Sequence, residues 1–287
     1  MTEFLTIESI AVALVLVTTL VAIGARRLRL PYTVSLVVIG LLIAIPTSLE
    51  LEATPDLILA IFIPPLVFEA AFHVDLDRLR QNLAPILFLA VPGVLLTTAH
   101  VGGMTALGTG VALGTAVVFG ALIAATDPVA VVSLFRALGV PRRLSLIVEG
   151  ESLFNDGTAI VIFRIALAAA LTGVFDPLGG ILDFLRVALG GIVVGLALGG
   201  ITALLVARIR DRLIVTSLTT ILAFGSYLAA EQLHVSGVLS VVMAGLMVGN
   251  VGMAGAAPST KLMILNLWEY LAFLANSMVF LLIGLSI

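Results

Sequence analysis

The stretch Gly150-Glu151-Ser152-Leu153-Phe154-Asn155-Asp156-Gly157-Thr158-Ala159 interrupts an otherwise apolar run over 144–172. A second carboxylate, Asp127, stands in another apolar run, within Ala124-Ala125-Thr126-Asp127-Pro128-Val129-Ala130. Ionisable groups at membrane depth are costly and persist mainly where they handle ions, protons or substrates. One such group on an intact helix and one beside a helix-breaking proline point to a cation pathway.

The rest of the chain supplies the membrane depth that this reading needs. It has 287 residues, of which 61% are hydrophobic and 11% charged, with a mean hydropathy of +1.27. Soluble domains average roughly 45–50% apolar and about 25% charged residues, so the fold class is an all-α polytopic membrane protein. A helical span needs about 20 predominantly apolar residues. On that scale ten spans are expected, at 4–25, 31–47, 56–74, 82–104, 108–138, 144–172, 179–206, 213–231, 236–250 and 266–287. The fifth and sixth are long enough to include broken or protruding ends. The ninth is short, but Gly237 and Gly249-Asn250 bound it. No segment reads as the alternating strand series of a barrel. The absence of cysteine excludes disulfides, thiolate metal sites and cysteine nucleophiles. Met1-Thr2-Glu3-Phe4 lacks the basic start of a cleaved signal, so the first apolar run is expected to stay in the mature protein.

The net charge of −3 says less than the position of each charge. With the N-terminus outside, the inner loops hold Arg26, Arg27, Arg29, Arg78, Arg80, Arg142, Arg143, Arg208, Arg210, Arg212 and Lys261. These eleven and Arg136, at the inner end of the fifth span, are 12 of the 14 Lys+Arg. The outer loops hold Glu50, Glu52, Asp56 and Asp176 instead. Basic residues concentrate in cytoplasmic loops, and the agreement over five loops supports the spans as well as their direction. Gly191, Gly195 and Gly199 recur every four residues and form a flat face, suited to packing inside one protomer or to a dimer contact.

On the sixth span, Ser152 and Asp156 share a face, as do Glu151 and Asn155, each pair about 6 Å apart along the axis. Hard oxygen ligands of this kind suit a small alkali cation. Burial disfavours the charged form of a carboxyl group, so Asp156 is suited to hold a proton when no cation is bound. Pro128 removes one backbone N–H and clashes with the Ala124 carbonyl. The break expected there frees carbonyls and exposes two half-helix ends, a recurring ion site of secondary transporters. Thr126 can offer a carbonyl or hydroxyl to the ion, and Asp127 can neutralise the positive half-helix end.

These two stretches resemble the signature motifs of monovalent cation:proton antiporters of the NhaP/NHE type. The resemblance extends in order to Pro64-Pro65-Leu66-Val67-Phe68-Glu69-Ala70-Ala71-Phe72, to Ser236-Gly237-Val238-Leu239-Ser240-Val241-Val242-Met243-Ala244-Gly245-Leu246 and to Trp268-Glu269-Tyr270-Leu271-Ala272-Phe273-Leu274-Ala275-Asn276-Ser277. It implies an inverted-repeat antiporter fold with discontinuous helices, working by alternating access and without a cofactor. Asp156 would be the exchanging carboxylate, with Ser152 and Thr126 as further Na⁺ ligands. Glu151 would act from the edge of the site, Asn155 would hold the broken region, and Asp127 would balance the helix ends. Asn at position 155 matches the branch for which the resemblance implies electroneutral exchange of one cation for one proton. The implied organisation is a scaffold and dimerisation part over 1–81, an ion-transporting core over 82–175, and linker and scaffold spans over 176–287. The family fold includes further spans, among them a second broken helix and a basic residue facing the acid, so the C-terminal spans are expected to be missing here. The expected partners are the cation, the proton, the bilayer of the cell membrane and a second copy of the chain, with no nucleic acid.

Other residues rank lower. His73, His100 and His234 are isolated, with His73 and His234 at membrane boundaries. Glu69 follows the Pro64-Pro65 break and suits either an approach funnel or an interhelical partner. Arg164 lies two turns beyond Asp156 and needs an anion nearby. Trp268 and Tyr270 read as interfacial anchors. The same mechanism would serve K⁺/H⁺ exchange. A reading from another class, an intramembrane aspartyl protease, would use Asp127 and Asp156 as a dyad. Against it, Asp156 sits in Asn-Asp-Gly and not in Gly-x-Gly-Asp, and the chain has no HExxH motif.

Overall fold

The structure, a computed structural model, describes residues 2–28, 30–45, 55–126, 128–174 and 176–286. Among the described residues it is helical with short turns and has no strand. The helices are α1 (Thr2–Leu28), α2 (Tyr32–Ala44), α3 (Pro55–His73), α4 (Leu76–Gln81) and α5 (Leu83–Thr109). They continue as α6 (Leu113–Leu122), α7 (Val129–Leu138), α8 (Arg142–Thr172) and α9 (Pro177–Val206). The last are α10 (Arg212–Gln232), α11 (Gly237–Gly252) and α12 (Pro258–Ser286). Among the described residues five helices, α5, α8, α9, α10 and α12, are long and apolar enough to cross a membrane. The runs read at 31–47 and 236–250 form shorter apolar helices, α2 and α11. The run read at 108–138 is the broken pair α6 and α7.

Short-range chemistry sets many of the ends. Asp75, Asp176 and Asp211 accept backbone N–H groups at the starts of α4, α9 and α10, and Ser236 does so for α11. Gly110 and Gly173 close α5 and α8 in the left-handed region, with φ of 72° and 69°. The helix α4 lies in what reads as a polar loop. Two turns of π-helix, Leu89–Gly93 around Pro92 and Val248–Gly252, interrupt α5 and α11.

The chain divides into two compact units. The first holds Met1–Leu66 with Ile264–Ile287. There Gly40 and Gly284 let α2 and α12 approach so closely that a Cβ on either would collide with the other backbone. Tyr32 stacks on Phe273, with ring centroids 5.6 Å apart, and hydrogen-bonds Ser277. Trp268 is fully buried, which corrects its reading as an interfacial anchor, whereas Tyr270 is 57% exposed.

The second unit, Val67–Met263, contains α8. Its most apolar stretch is 44% buried, the largest share among the long helices. A Cβ at Gly150 would press on Ile86 and Leu79, and one at Gly157 on Leu239, so small residues let α8 contact α4, α5 and α11. The Gly191, Gly195 and Gly199 face of α9 packs on Ser236, Ser240 and Ala244 of α11. Packing within the protomer therefore occupies the face left open between two uses. Asn250 ties α11 to the α3–α4 turn. Its Oδ1 accepts from Leu76 N at 2.9 Å and its Nδ2 donates to the Val74 carbonyl at 2.9 Å.

Candidate ion site

The broken fifth span sets up the site. The helix α6 stops at Leu122, and Ile123 leaves the helical region at φ −95° and ψ 4°. Regular helix resumes only at Val129, where the Pro128 carbonyl accepts from Val132 N at 2.8 Å. The break is therefore wider than one proline requires. It leaves the Ala124 and Thr126 carbonyls outside any helical ladder, and α8 supplies them with donors.

The Ser152 hydroxyl donates to the Thr126 carbonyl at 2.8 Å. The Asn155 amide nitrogen lies 2.9 Å from Glu151 Oε1, 3.2 Å from Thr126 Oγ1 and 3.5 Å from the Ala124 carbonyl. The Thr126 hydroxyl lies 3.5 Å from Glu151 Oε2. Asn155 is 1% exposed and Ser152 6%, whereas Glu151 and Asp156 are half-buried and Thr126 is exposed. Asp156 is one helical turn beyond Ser152. Asn155 Oδ1 is buried and accepts no hydrogen bond from the described residues. An unsatisfied buried carbonyl-type oxygen costs about 1–3 kcal/mol, and a cation is one group that would relieve it. The structure thus brings together Thr126, Glu151, Ser152 and Asn155, with Asp156 one turn away; Asp127 lies outside the described residues.

Several polar groups find partners that the sequence did not name. Arg164 meets Glu231 of α10 at 3.4 Å, and the other oxygen of that carboxylate accepts from Gly237 N at 3.4 Å. Glu231 is the anion that Arg164 needs. His73 Nδ1 lies 2.8 Å from the Glu69 carbonyl and 3.3 Å from its carboxylate, so these two residues serve each other at the end of α3. Among the described residues no three His, Cys, Asp or Glu side chains gather in the manner of a resident metal site.

The family description "Sodium/hydrogen exchanger, transmembrane" matches residues 12–287. The Na⁺/H⁺ antiporter NhaS2 of a Synechocystis strain is 39% identical over 276 residues, covering 96% of this chain and 51% of that protein. ApNhaP of Aphanothece halophytica, also named a Na⁺/H⁺ antiporter, is 40% identical over 98% of this chain and 54% of its own length. The chain thus spans about half the length of these two relatives. The solved structure of the sodium proton antiporter MjNhaP1 from Methanocaldococcus jannaschii at pH 8 superposes with a TM-score of 0.80 at 24% identity. That superposition covers all of this chain and 71% of the archaeal one, and it establishes the antiporter fold with its discontinuous helices. With one family pattern running from residue 12 to 287 and a matching fold, the chain belongs to the sodium/hydrogen exchanger family.

Proposed function

We propose that the chain carries the cation site of a secondary antiporter that exchanges Na⁺, or another monovalent cation, for H⁺ across the cell membrane by alternating access. One observation carries the reading. A buried serine and asparagine of α8 hold carbonyls released by the α6–α7 break, one turn from a half-buried carboxylate. Asp156 binds either the cation or the proton. Ser152 and Thr126 add neutral oxygens, Glu151 acts from the edge, and Asn155 keeps the broken segment on α8. Asp127 balances the half-helix ends. One exchanging carboxylate releases one proton for each cation it takes up, so turnover moves no net charge. Residues 82–175 form the moving core, 1–81 and 176–287 the scaffold, and two copies make a homodimer. The ions are substrates, and the process needs neither a cofactor nor catalysis of a covalent step.

The names of the relatives support the exchange reaction, and because they extend well beyond this chain the test belongs to the full-length protein. Expressed in salt-sensitive cells that lack their own antiporters, the wild type should restore growth at high Na⁺. Asp156→Asn, inserted at equal levels, should not. Robust growth with the Asn variant would remove Asp156 from its role.

A further inference from the structure

Between α4 and the start of α8, Arg78, Gln81, Asn82, Arg142, Arg143 and Leu146 line a cavity of about 390 Å³. Three guanidinium groups and no carboxylate belong to this lining. Its geometry is held by Asn82, which is 7% exposed. Asn82 Oδ1 accepts from Arg143 Nε at 2.8 Å, and its Nδ2 donates to the Arg78 carbonyl at 2.9 Å. One buried amide thus fixes Arg143 against the α4 backbone. Arg78 pairs with Asp75 at 3.3 Å, but both side chains are more than half exposed, so water screens the pair. Among the described residues no carboxylate forms an ion pair with Arg142 or Arg143.

The same cavity receives the positive end of the α8 macrodipole. Pro141 provides no side-chain cap there, and the first turn contains no acidic residue. Arg142 and Arg143 occupy its first two positions, where a cation is disfavoured. Positive charge therefore converges from three side chains and a helix end, and the acidic residues of the adjoining turn, Asp75 and Asp77, are exposed to water. A bound anion would offset it. Guanidinium groups match phosphate oxygens in paired hydrogen bonds, and 390 Å³ is a volume that suits a small ligand. Leu146 forms an apolar wall, and Leu144 beside Arg143 is 48% exposed, which provides a surface for an acyl chain. The loop arginines place the cavity at the cytoplasmic leaflet, where basic pockets between membrane helices take anionic headgroups.

We propose that this cavity binds a phosphate-bearing anion, supplied by an anionic phospholipid headgroup or by free phosphate. The inference is independent of the exchange reaction. Its test is thermal unfolding of the delipidated full-length protein in neutral detergent, titrated separately with phosphatidylglycerol, phosphatidylcholine and inorganic phosphate. The expected result is a saturable rise in the unfolding midpoint with phosphatidylglycerol and none with phosphatidylcholine. R142Q/R143Q should need about tenfold or more ligand for the same rise, corresponding to the loss of one charge-assisted contact. R208Q/R210Q, in another basic loop, should respond as the wild type does. A rise with inorganic phosphate, absent in R142Q/R143Q, identifies the free anion as a source; no rise with it restricts the site to lipid. Should the double variant not fold, R142Q alone carries the same comparison, since the Arg142 side chain makes no hydrogen bond to the described residues. An undiminished response in the pocket variant, an equal loss in R208Q/R210Q, or no rise with either phosphate source would overturn the proposal.

Discussion

Asn155 carries most of the local order at the crossing of α8 with the broken span. Its two amide N–H groups have Glu151, Thr126 and Ala124 as acceptors within reach, while its own oxygen stays buried without a donor among the described residues. Asn155→Ala removes the donor to the buried Ala124 carbonyl and to half-buried Glu151, while also removing the unsatisfied Oδ1, so stability measured by thermal unfolding should fall by a net of about 1 kcal/mol. Ser152→Ala removes the hydroxyl that holds the Thr126 carbonyl at 2.8 Å. Its expected effect is roughly a tenfold rise in the Na⁺ concentration for half-maximal exchange, equivalent to about 1.4 kcal/mol. An unchanged cation dependence would take Ser152 out of the ligand set. That these side chains need partners from another segment was legible in the sequence, because polar residues at i, i+4 spacing in an apolar run are costly on a lipid-facing surface. Asn82 and Asn250 were not legible in this way. Their partners, Arg143 and Leu76, lie 61 and 174 residues away, and no local pattern encodes such a pairing.

At the level of elements, glycine decides which helices can touch. A Cβ at Gly195 would collide with the Ser240 carbonyl, and one at Gly120 with that of Thr98. Nothing lies within 4 Å of the corresponding position at Gly225 in α10. Gly195→Val should therefore separate α9 from α11 at a cost of about 1–3 kcal/mol, whereas Gly225→Ala should gain up to about 1 kcal/mol from helix propensity. Unfolding midpoints of the two variants in one detergent check the contrast; a similar loss in both would show that the crossing is not the tight point. The four-residue spacing of Gly191, Gly195 and Gly199 announced a close contact but not its partner. The complementary face, Ser236, Ser240 and Ala244, carries the same spacing and could have named it. The Pro128 break was legible, though its start at Ile123 was not, since nothing in Ile123-Ala124-Ala125-Thr126 opposes a helix by itself. Trp268 was misread for a related reason. An aromatic near a span end fits a membrane belt until its burial in the fold is known.

For the molecule as a whole, the proposed alternating access requires residues 82–175 to move as a core relative to the first span. Spin labels placed across 82–172 and on the first span should report distances that change between high and low Na⁺; constant distances would exclude a moving core. The proposed one-for-one exchange at Asp156 would also fix the response to voltage. Each uncompensated charge would exchange about 2.3 kcal/mol with the field per 100 mV, so a steady current on a solid-supported membrane would contradict electroneutrality. The decisive measurement for Asp156 is Na⁺-driven proton flux in liposomes containing the full-length protein, compared between wild type and Asp156→Asn with the membrane potential clamped at zero. Rapid proton flux is expected for the wild type and background flux for Asp156→Asn at equal reconstituted amounts, if Asp156 is the exchanging carboxylate. Wild-type-like flux through the Asn variant would contradict it.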